Sequence, residues 1–193
     1  MKKTLFHGTT YENYLSIIKE GFNPKDKTWH CSDESEIYFF DDTKDSNCIL
    51  DYGTIKDLHT SLVASAFESA QITAGIQGVL DAKLVVIEIE IDANLTEDDY
   101  SCDNMMDIAT VVNIDNLEIG MIKNVHIAKN GYNPHLRFFY IGSLINNKHL
   151  NTWNFSDMEE QAMNIIAEKE VYIDDLTLVE EWETIQFKAL KVA

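Results

Sequence analysis

Apolar and polar positions change period several times along this chain, and each change marks an element. Residues 83–91 (KLVVIEIEI) open as a continuous apolar run and then alternate, Ile87, Ile89 and Ile91 against Glu88 and Glu90. A period of two is the pattern of a strand with one face packed and the other, here acidic, in water. Shorter runs at 28–32, 36–40, 124–129, 137–141, 170–173 and 177–182 predict further strands, with a last edge near 185–190. At the start, Leu5 and Phe6 predict a short apolar strand that breaks in a turn at His7-Gly8-Thr9. A helix follows, because Thr9 and Glu12 fit the S/T-x-x-E capping box, Tyr14, Ile17 and Ile18 share one face, and Gly21 ends the pattern. Helical spacing also covers 55–73, where Ala64, Ser65, Ala66, Ser69 and Ala70 offer a small-residue surface for a sheet to approach. A further helix is expected over 103–112, and another from Ser156, with Glu159 completing a second capping box.

The strands are too many, and joined too irregularly, for a doubly wound parallel sheet. The expected fold is a single α+β domain over 1–193, a split and mostly antiparallel sheet flanked by three or four helices. With 193 residues and 45% hydrophobic content, the chain can bury one substantial core without a metal or disulfide. Pro24 and Pro134 both fall in loop-like contexts, and no repeat is present.

Composition narrows the function classes. The formal net charge of −18 repels a polyanion unless a local basic patch overcomes the field, and no such patch is visible, so nucleic acid is not the expected partner. From Glu88 to Glu118 there is no Lys or Arg, so this stretch reads either as a solubilising surface or as a docking face for a basic protein. Arg137 is the only arginine, and it either grips a phosphate or pairs with one of many carboxylates. Cys31, Cys48 and Cys102 are odd in number and lack metal-ligand spacing, which suits reduced thiols in the cytoplasm and no bound metal. No apolar run has secretory or membrane-spanning length.

Three motifs carry the chemistry. His7-Gly8-Thr9 offers an imidazole beside a glycine whose backbone can approach a ligand. Glu36-Ile37-Tyr38-Phe39-Phe40-Asp41 is an aromatic strand, and Glu168-Lys169-Glu170-Val171-Tyr172-Ile173 puts two acids before a late strand. In this order they resemble the His-Tyr-Glu pattern of ADP-ribosyltransferases of the poly(ADP-ribose) polymerase type.

The resemblance implies NAD bound in a cleft between two half-sheets, with release of nicotinamide. His7 would donate to a ribose hydroxyl, the Gly8 backbone would hold the nicotinamide amide, and Thr9 would lie beside them. Tyr38 would pack on the nicotinamide or its ribose. Positive charge that builds on the ribose calls for a fixed carboxylate. Glu170 fits the Glu-x-Glu form of toxin-like transferases, and Glu168 fits Glu-x-x-Val-Tyr. Residues two apart on a strand share a side, so both could enter one cleft. Ser32 would donate to a phosphate, and Tyr52 would supply a second stacking face. The family's glycine before Ile37 is replaced by Glu36. Without a basic groove for a growing polymer, transfer of one ADP-ribose to a protein acceptor fits better than polymerisation. Two alternatives remain: an inactive NAD- or ADP-ribose-binding or decoy protein, and an RNA 2′-phosphotransferase, which charge disfavours.

Overall fold

The computed structural model describes residues 1–22, 35–41, 57–79, 81–98, 109–129, 140–142, 144, 155–168, 179 and 181–188. Seven strands form one sheet: β1 (Lys2–Thr10), β2 (Glu36–Asp41), β3 (Leu84–Asp92), β4 (Glu97–Asp98), β5 (Ala109–Asn113), β6 (Ile122–Ala128) and β7 (Trp182–Gln186). Their spatial order is β4-β5-β2-β1-β3-β6-β7, and every neighbouring pair is antiparallel. Among the described residues, the helices α1 (Tyr11–Glu20), α2 (Leu58–Ile76) and α3 (Phe155–Glu168) accompany them, and residues 140–142 are helical as well. The fold is α+β, as expected. No helix among the described residues is long and apolar enough to cross a membrane.

Each face of the sheet has its own core. Phe6, Leu84, Val86 and Ala128 meet Leu62, Val63, Ala66, Phe67, Ala70 and Ala74 of α2 on one face. Leu5, Ile37, Phe39, Val85, Ile87 and Ile89 line the other, against which Tyr11, Tyr14, Ile17 and Ile18 of α1 pack. The small residues of α2 let it lie very close to β1: a Cβ added to Gly8 would stand 1.7 Å from the Ala66 carbonyl oxygen. Gly8 is therefore a packing residue of the strand, whatever else it does.

The strand register shows where the sheet is weak. β1 is matched to β3 along its whole length, from Lys2 opposite Asp92 to Thr10 opposite Leu84. To β2 it is matched only at Leu5 with Asp41 and Phe6 with Phe40. One half-sheet, β4-β5-β2, thus joins the other, β1-β3-β6-β7, through a short seam. At its closed end the buried Asp41 carboxylate accepts from Lys3 Nζ at 2.7 Å and from Thr110 Oγ1 at 2.9 Å, tying β1, β2 and β5 together.

Several expectations are corrected. His7-Gly8-Thr9 is not a turn; it lies inside β1, where pairing with β3 keeps the chain extended. The cap of α1 is accordingly Thr10, whose side chain accepts from Asn13 N, rather than Thr9. Gly21 does end α1, at φ +88°, a conformation that suits glycine. Within 103–112, expected to be helical, residues 109–112 belong to β5: the β-branched Thr110, Val111 and Val112 pair with β2. Tyr140 and Ile141, expected to end a strand, are helical. Ser156 is the second residue of α3, so it is not the cap. β7 straddles the expected boundary between 177–182 and 185–190, beginning at Trp182 and ending at Gln186. The acidic face of β3 does not look at water at Glu88, which is buried. The strands expected at 28–32 and 170–173 lie outside the described residues.

Candidate functional site

The seam between β1 and β2 brings two of the three motifs together. Beyond Phe6 and Phe40 the ladder stops, and the His7 side chain takes over: its Nδ1 lies 2.9 Å from the carbonyl oxygen of Tyr38. A carbonyl can only accept, so Nδ1 carries the proton and donates. Burial pushes the imidazole below its usual value, while the bond to Tyr38 pulls weakly the other way, so the ring is neutral at pH 7. Nε2 of a neutral ring protonated at Nδ1 is an acceptor. The ring also leans on Phe39, centroids 5.5 Å apart.

This arrangement titrates. A folded-state pKa held below that of the unfolded chain contributes stability above the unfolded value, and that stability is lost as pH falls. Relative to His7→Gln, whose amide can keep the bond to Tyr38 without titrating, the native chain should lose stability as pH drops below the ordinary histidine value of 6.5. Urea midpoints of both proteins from pH 8 to pH 5 measure this; parallel curves would show that His7 is not held neutral.

The other expected residues are placed less closely. Ile37 and Phe39 are buried on the α1 side, so Tyr38 between them leaves the strand on the α2 side, whereas the His7 ring lies with Phe39. The imidazole therefore meets the Tyr38 backbone, not its ring. Thr9 is buried within β1. Glu168 is the exposed last residue of α3. Ser32, Tyr52 and Glu170 lie outside the described residues.

A second polar cluster, missed in the sequence, lies on the α2 side of the sheet. Glu88 Oε2 is 3.0 Å from His126 Nε2, 3.0 Å from Asn124 Nδ2 and 3.2 Å from His59 Nε2. His126 Nδ1 lies 2.9 Å from Thr184 Oγ1, and the His59 ring stands edge-on to Phe6. Burial works against the Glu88 charge, yet the bonds from His126, Asn124 and His59 outweigh it and hold the carboxyl down at about 2. Alternation puts Asn124 and His126 on one side of β6, opposite Glu88 and Val86 of β3, which is the one signal the sequence holds for this cluster.

Comparison with known proteins finds no matching family model, no matching curated protein and no matching solved structure.

Proposed function

We propose that the chain is an NAD-dependent mono-ADP-ribosyltransferase whose dinucleotide enters the seam between the half-sheets. The reading rests on one observation: β1 and β2 part just where the His-Gly-Thr and Tyr-Phe motifs face each other, with His7 spanning the gap to the Tyr38 carbonyl. Its Nδ1 being committed there, His7 would accept from a ribose hydroxyl through Nε2 rather than donate to it. One hydrogen bond of this kind accounts for about tenfold in affinity. A carboxylate opposing the charge that develops on the ribose accounts for about 10²–10³ in rate. Glu170 and Glu168 are the candidates for that role.

A second reading, a non-catalytic NAD- or ADP-ribose-binding module, is favoured by the position of Glu168 at an exposed helix end. Nicotinamide release from NAD, measured together with NAD binding, separates the two. The transferase reading expects release by the native chain, weaker NAD binding for His7→Ala, and release reduced by about 10²–10³ in Glu170→Gln or Glu168→Gln. Binding without release supports the module. Neither binding nor release rejects both.

A further inference from the structure

We propose that His59, Glu88 and His126 form a mononuclear zinc site on the α2 face of the sheet, separate from the seam. Their ligand atoms, one from each side chain, all lie within 4.8 Å of one another. Two imidazoles and one carboxylate suit zinc and its late first-row neighbours, whereas magnesium and calcium take oxygen ligands.

The geometry is close to what an ion needs. Bonds of about 2.0–2.1 Å arranged tetrahedrally set ligand atoms about 3.3 Å apart. Glu88 Oε2 already stands 3.0 Å from His126 Nε2 and 3.2 Å from His59 Nε2. Closing the third side is left to His59, the second residue of α2, whose side chain is 54% exposed. The same exposure gives the ion a way in and leaves its fourth position to water. Glu88 and His126 sit on neighbouring strands of the sheet and are 10% and 1% exposed, so two of the three ligands are fixed beforehand.

The outer contacts also fit. The second nitrogen of His126 faces a hydroxyl, and a hydroxyl can either donate or accept. With no ion, Nε2–H donates to Glu88 while Nδ1 accepts from Thr184. With an ion, the proton sits on Nδ1 and donates to Thr184, which keeps that hydrogen bond and frees the Nε2 lone pair, while the bond from Nε2 to Glu88 gives way to the two metal–ligand bonds. A metal-bound histidine typically donates its other N–H to an oriented acceptor in this way. Asn124 holds the carboxylate by its amide, and the net charge of −18 draws cations towards the chain.

The test loads the metal-stripped full chain with Zn²⁺ by calorimetry and with Co²⁺ followed by visible absorption. The expected result is one equivalent bound per chain, with a four-coordinate cobalt spectrum that lacks thiolate charge-transfer bands. His59→Ala should weaken binding more than about 100-fold, with metal-free melts recorded alongside because it also removes one bond to Glu88. His59→Gln, which keeps a hydrogen bond but ligates poorly, serves if the alanine variant is unstable. Thr184→Val, a change to a positioning residue, should weaken binding about 10–100-fold. The site is rejected by no stoichiometric uptake, by thiolate bands that point to Cys31, Cys48 or Cys102, or by affinity unchanged in the His59 variants. Nicotinamide release does not enter this test, so the zinc site and the transferase reading stand or fall separately.

Discussion

Gly8→Ala should destabilise the chain by about 3 kcal/mol or more, lowering the melting temperature by roughly 6–12 °C. The new methyl would stand 1.7 Å from the Ala66 carbonyl oxygen and 2.7 Å from its carbon, so α2 would have to lift from β1 as a unit. Against this, alanine recovers only about 0.5–1 kcal/mol of the backbone entropy that glycine loses in a strand. The obstruction is main chain, not side chain. Adding Ala66→Gly should therefore give no rescue, and thermal melts of the single and double variants decide it. A glycine whose only purpose is to let a ligand approach would tolerate alanine without loss of stability.

Asp41→Ala is the other change expected to have a large effect. It would leave the Lys3 ammonium, whose side chain is 16% exposed, without its buried partner and remove the acceptor of the buried Thr110 hydroxyl. Breaking a buried ion pair from one side costs about 3–5 kcal/mol, because the remaining charge stays desolvated. Replacing both partners, as in Lys3→Met with Asp41→Leu, should cost less than Asp41→Ala alone. Chemical denaturation of the single and double variants measures the coupling. If the double variant is the less stable, Asp41 matters for shape more than for charge. The pair also sits beside Leu5 and Phe6, where β1 and β2 are still matched, so its loss should loosen the seam.

Elements written as long, regular patterns were legible in the sequence. β2, β3 and β6 fall where alternating or apolar runs lie, and α1 and α2 fall where apolar residues recur at helical spacing. What could not be read was set by distant partners. The glycine in β1 suggests a turn until Ala66 is seen to pack against it, and ATVVN becomes a strand because β2 lies beside it. Glu88 shows the same limit at the level of chemistry. Its alternation with isoleucines marks a wet face, yet His59 and His126, 29 and 38 residues away, converge on its carboxylate beneath α2. For the candidate site, the pairing of the His-Gly-Thr and Tyr-Phe motifs was legible as order along the chain. Which side of β2 the Tyr38 ring takes, and which nitrogen of His7 is occupied, depended on strand register.

β1, which precedes the other six strands of the sheet in sequence, is also the one at its middle, between β2 and β3. On the ribosome, Leu5 and Phe6 emerge long before Asp92, the residue that completes the pairing with β3, has been added. Closing so long a loop is slow, and until it closes β1 offers two open edges and an apolar surface to anything nearby. During synthesis β1 thus gains from being shielded until residues 84–92 arrive, because the rest of the sheet waits on that pairing.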